Sequence, residues 1–157
     1  MQYIKYLLVV LLLNLSCSKS NDGFKFPAPF VEFSFDLSHP KWGFYLQIPN
    51  NSYLFEADEV GKFDLGYFNN GVIVYNGSDG YYAFDATCPH HTSEGRNAQL
   101  VLGVNDKKMG EAIAMCPIDS VKYFLSSGGV PENGSGANRL LHEYKARQSG
   151  MVVFVNN

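Results

Sequence analysis

Cys88-Pro89-His90 and, further along, Cys116-Pro117-Ile118-Asp119 are the two stretches whose reading decides the fold. Each is a Cys-Pro turn that follows a strand-like run, Tyr81–Asp85 before the first and Ala112–Met115 before the second. Turns at two strand ends can face each other across a small β-fold and close a site at its tip. The side chains they carry are thiols, an imidazole and a carboxylate. Two cysteines in such places are either metal ligands or disulfide partners. Cys88, His90, Cys116 and Asp119 also make an acceptable tetrahedral set for zinc.

Outward from the two turns, the chain reads as strands. Residues 31 to 37 alternate, with Val31, Phe33, Phe35 and Leu37 on one face and Glu32, Ser34 and Asp36 on the other, the period of a half-buried strand. Further strands are expected over Gly43–Ile48, Val72–Tyr75, Tyr81–Asp85, Gln99–Val104, Ala112–Met115, Lys122–Leu125, Leu140–Arg147 and Met151–Val155. Asn76-Gly77-Ser78-Asp79-Gly80 and Gln148-Ser149-Gly150 are hairpin signals. No stretch sustains a helical period, and no repeat is visible. Many short strands with Gly-rich turns give an all-β class, an antiparallel sandwich or small barrel. Residues 128–138 read as a long Gly/Ser/Pro loop.

Residues 70–157 resemble the Rieske iron–sulfur domain. The resemblance rests on the two Cys boxes, on Gly71-Val-Ile-Val-Tyr75 and Tyr82-Ala-Phe-Asp85 ahead of the first, and on Tyr123-Phe124 after the second. Ser126-Ser-Gly-Gly-Val-Pro131, Leu140-Leu-His-Glu-Tyr144 and a closing Met-Val-Val-Phe-Val strand complete it. It implies an antiparallel β-sandwich whose tip, formed by two loops, binds a [2Fe–2S] cluster, with two thiolates on one iron and two imidazoles on the other. Carried onto this chain, Cys88 and Cys116 hold one iron, and His90 and Asp119 the other. The implied function is electron transfer with a redox partner. The chain departs from the family pattern at Asp119, where members have His, at Ser120 and Thr92, where Gly is common, and at Val121, where high-potential members have Ser. His91 adjoins His90, but neighbours on an extended backbone point opposite ways. Three occupants of the tip therefore stay open: the cluster, a Cys88–Cys116 disulfide in a clusterless binding or structural protein, and a single zinc ion.

The N-terminus reads as a leader. Lys5 supplies a positive region, Leu7 to Leu13 an apolar one, and Ser16-Cys17 a junction that resembles a bacterial lipoprotein site. The expected organisation is a signal peptide over 1–16, a tether over 17–26 beginning at lipidated Cys17, and the domain over 27–157. Such a protein is exported and anchored to a bacterial membrane, with its globule in an oxidising aqueous space. A net charge of −3 over 157 residues, with no basic stripe, argues against nucleic acid as a partner. No nucleophile–base arrangement, phosphate loop or companion catalytic domain is present, so no enzyme activity is expected.

Overall fold

The computed structural model describes residues 29–103, 108–135 and 137–157. The leader, Cys17 and the tether lie outside the described residues. All named strands pair antiparallel, in two sheets. The larger sheet has seven strands: β1 (Glu32–Asp36), β2 (Ser52–Phe55), β3 (Val72–Asn76), β4 (Tyr81–Asp85), β5 (Met109–Gly110), β9 (Glu143–Ser149) and β10 (Val152–Asn156). Their order is β1-β10-β9-β4-β3-β2-β5. The smaller sheet joins β6 (Ile113–Met115), β7 (Lys122–Phe124) and β8 (Val130–Pro131), in that order. The expected all-β class is what the protein has.

Burial follows the side-chain period of two. In β1, Phe33 and Phe35 face the core while Glu32, Ser34 and Asp36 face solvent. The strands β2 and β3 are instead buried on both faces. Val72, Val74, Tyr53 and Phe55 enter one core with the aromatic residues of β1, whereas Ile73, Tyr75 and Leu54 enter a second core, the one that contains Cys88 and Cys116. The larger sheet thus separates an aromatic core from the core beneath the cysteines.

Both expected hairpins form. Asn76 pairs with Tyr81, and Gly77 donates its N–H to the Gly80 carbonyl at 2.8 Å. Ser149 pairs with Val152 across the last turn. Two expectations are corrected. Gly43–Ile48 is not a strand: Gly43–Leu46 is a short helix, α1, entered by a Gly43 N–H bond of 2.8 Å to the His39 carbonyl. A Cβ on Gly43 would lie 2.0 Å from the Leu37 carbonyl oxygen, so the tight return of this helix onto the end of β1 needs glycine. Within Gln99–Val104, the described residues form only two isolated bridges, Gln99 to Thr87 and Val101 to Met115. These bridges tie the ends of β4 and β6 together, and each of those ends leads into a cysteine.

Candidate functional site

The first cysteine loop leaves β4 through Ala86 and Thr87. Cys88 has extended backbone and caps a short helix, α2 (Pro89–Ser93). Pro89 occupies the first helical position, where its missing N–H costs nothing. Thr92 closes the turn, its N–H and its hydroxyl donating to the Cys88 carbonyl at 3.1 and 2.9 Å. Because the backbone coils here, the residue three places after Cys88 returns to its side. That residue is His91.

His91 is buried at 1% exposure, and its Nδ1 lies 3.4 Å from Cys88 Sγ and 3.3 Å from Cys116 Sγ. Its Nε2 lies 3.7 Å from Asp119 Oδ2. His90 points away, its side chain part-exposed and its Nε2 3.9 Å from Glu94 Oε1. Of the four donors expected from the sequence, the structure brings Cys88 and Cys116 together, sets Asp119 on the rim, and leaves His90 outside. His91 stands in its place. Its signal was present in the chain, since proline directly after a capping position favours a helical turn over an extended box.

The second loop leaves β6 at Met115. It is closed by the Cys116 N–H to the Val121 carbonyl and the Ser120 N–H to the Cys116 carbonyl, both 2.9 Å. Asp119 Oδ1 accepts the Val121 N–H at 3.1 Å, which turns the chain back toward β7. Ser120 sits at a φ of 62°, in the left-handed region that favours glycine. The loop thus holds a serine in a backbone shape that glycine adopts without strain. Ser120→Gly is expected to raise stability by about 0.5–1 kcal/mol, by relieving the crowding of Cβ. Chemical denaturation measures it, and a loss of stability would contradict the assignment of strain.

Inside the tip, Tyr123 is fully buried and its hydroxyl lies 3.4 Å from Cys88 Sγ. Hydrogen bonds from Cys116, Tyr123 and His91 outweigh the burial of Cys88 and hold its thiol down to about 5. The same sharing with Cys88, together with burial, pushes Cys116 up. Burial and the neighbouring Cys88 push Tyr123 up as well. Asp119 is held below the ordinary carboxylate range: the Val121 N–H, the Cys116 thiol and the nearby His91 outweigh its burial. This coupling favours the thiolate at Cys88 over one at Cys116, and metal binding would displace the protons that the pair holds. Cys88, His91 and Cys116 each offer one donor atom, all within 4.8 Å of one another.

A polar network that the sequence did not announce fixes the first loop. Buried Asp85 accepts the Tyr67 N–H at 2.7 Å, the Thr87 N–H at 2.8 Å and the Tyr144 hydroxyl at 2.7 Å. Asn70 donates to Thr87 Oγ1 at 2.9 Å and to Asn97 Oδ1 at 2.6 Å. The Cys88 N–H then reaches the Ala98 carbonyl at 2.9 Å. Burial pushes the Asp85 carboxyl above its ordinary range, against the lowering effect of its hydrogen bonds.

No protein-family model matches the chain, and no curated protein matches it. Among solved structures it is similar to a quaternary ammonium Rieske monooxygenase bound to an inhibitor, with a TM-score of 0.49 and 16% identity over 82% of this chain and 31% of that one. It is also similar to the ferredoxin of carbazole 1,9a-dioxygenase from Nocardioides aromaticivorans IC177, with a TM-score of 0.38 and 16% identity over 66% of this chain and 94% of that one. A complex of reduced oxygenase and oxidised ferredoxin of carbazole 1,9a-dioxygenase gives a TM-score of 0.41 and 15% identity over 69% and 94%. The chain spans about a third of the monooxygenase's length, 31%.

Proposed function

We propose that this chain is an electron carrier of the Rieske type. Its cofactor is a [2Fe–2S] cluster held at the tip by Cys88 and Cys116 on one iron and by His91 and Asp119 on the other. The observation that carries the proposal is the meeting of thiols from two separate loops with an imidazole at one buried point. The donor set fits the group in kind: sulfur for one iron, nitrogen and oxygen for the other. When bound, the cluster supplies a reversible one-electron couple. The chain's own residues do the rest. Tyr123 is placed to donate to the Cys88 sulfur, stabilising negative charge there, and the buried surround keeps water from the thiolates. A carboxylate in place of imidazole favours the ferric state and lowers the potential.

On this reading the chain is not itself an enzyme, and it passes electrons to a redox partner. We place it at a membrane through lipidated Cys17. Cys17→Ala is then expected to move the protein from the membrane fraction to the soluble one; a variant that stays membrane-bound after washing would refute the anchor.

A second reading has its own observation. His91 Nδ1 lies 3.4 and 3.3 Å from the sulfurs of Cys88 and Cys116, and all three donor atoms are within 4.8 Å of one another. A tetrahedral zinc with arms of about 2.1–2.3 Å sets its ligands about 3.6 Å apart. This compactness favours a single ion on these three donors, with Asp119 on the rim swinging in to complete the set. Iron and acid-labile sulfide analysis of leaderless protein made in the cytoplasm separates the two. Iron and sulfide in equal amounts support the cluster, and zinc without sulfide rejects it.

A further inference from the structure

We infer that the metal-free tip is a thiol–disulfide centre, and that closing a Cys88–Cys116 disulfide shuts the site to metal. The inference concerns the same tip as the proposed electron carrier, and only its consequence for loading rests on that reading. Cys88 and Cys116 are free, fully buried thiols on separate loops. Their sulfurs lie within 4.8 Å of each other, and His91 Nδ1 touches both, at 3.4 and 3.3 Å. The two loops are tied at their roots by the Val101–Met115 bridge and by the Cys88 N–H to Ala98. Closing the pair therefore needs movement of the tips alone.

The chemistry balances with a small disulfide, such as oxidised glutathione, as oxidant. When the tip opens and exposes Cys88, its thiolate attacks one sulfur of the oxidant; that S–S bond breaks and a glutathione thiolate leaves. The Cys116 sulfur, its proton passed to His91 Nδ1, then attacks the Cys88 sulfur and expels the second glutathione thiolate. Cys88 and Cys116 together lose two electrons, and glutathione gains them. A sulfur locked in a disulfide is no longer a thiolate, and the thiolate is the form that binds metal. Loading would thus follow the redox state of the compartment.

The test uses full-length chain carrying Cys17→Ser, so that only Cys88 and Cys116 react. Metal-free protein is held with excess oxidised glutathione or with a dithiol reductant. Free thiols are then counted by alkylation and intact mass, and disulfide-linked peptides are sequenced. Ferrous iron with sulfide is finally offered to both samples.

The expected result is a peptide pair joined through Cys88 and Cys116, at least a tenfold loss of iron and sulfide uptake, and full recovery on reduction. Cys88→Ser and Cys116→Ser should each carry a stable glutathione adduct instead of closing, with unchanged circular dichroism showing that they fold. Two alkylatable thiols after oxidation would overturn the inference, as would a closed disulfide that leaves uptake unchanged. If reduced protein takes up no iron or sulfide, the electron-carrier reading fails, and the thiol count alone decides whether the tip is a disulfide centre.

Discussion

His91→Ala is expected to empty the tip of metal, while His90→Ala leaves it loaded. His91 Nδ1 touches both sulfurs and its Nε2 faces Asp119, whereas His90 Nε2 faces Glu94, away from the sulfurs. Loss of a residue that merely supports a metal ligand costs 10–100-fold in affinity, so loss of the imidazole itself should cost at least ~100-fold. Metal content by mass spectrometry, at matched protein concentration and with circular dichroism as the folding control, reads the difference. The same result is expected whether the tip takes a cluster or a single ion. A His90→Ala variant that loses its metal while His91→Ala keeps it would restore the Cys-x-His box as the ligand motif.

Asp85→Ala carries the largest expected cost in stability. Three donors converge on this carboxylate, the Tyr67 and Thr87 N–H groups and the Tyr144 hydroxyl. Each buried donor left without a partner costs about 1–3 kcal/mol, and some of that is offset because the variant no longer buries a charge. The net expectation is about 3 kcal/mol, or a fall in melting temperature of roughly 6–12 °C for a domain of this size. Against a total of about 5–15 kcal/mol this is a large fraction. The pH dependence has a definite sign. Burial raises the folded-state pKa of Asp85, so the folded protein holds that proton more tightly than the unfolded chain. Its contribution is therefore greatest below the ordinary carboxylate value of 3.8 and declines as pH rises through the raised value. Asp85→Ala should abolish that segment of the stability–pH curve. Denaturation of the two proteins at several pH values measures it, and a variant as stable as the wild type would show that the network supports nothing.

The sequence spoke clearly where one face of a strand meets water. The alternation of Phe33 and Phe35 with Glu32, Ser34 and Asp36 announces β1, and the Gly-rich turns announce both hairpins. Ser52–Phe55 announced nothing, because a four-residue strand buried on both faces has no alternation to show. Gly43–Leu46 misled for a related reason. Apolar residues in a short run suit a strand or a helix equally, and here the bonds from Gly43 to His39 and from Leu46 to Trp42 decide for the helix.

At the tip, both cysteines were legible from their Cys-Pro turns. The histidine was legible only through Pro89, since its choice depends on backbone shape. On an extended chain, position 90 shares a side with Cys88; on the turn that Pro89 begins, position 91 does. The Asp85, Thr87 and Asn70 network was hidden because its members lie far apart in sequence and are ordinary polar residues until folding brings them together.

Electron paramagnetic resonance of the reduced protein tests the central claim most directly, on leaderless chain made in the cytoplasm with ample iron. The expected result is a signal from one unpaired electron shared by a coupled iron pair, with iron and acid-labile sulfide present in equal amounts. Protein with no such signal and no sulfide, whether colourless with zinc or free of metal altogether, would contradict it.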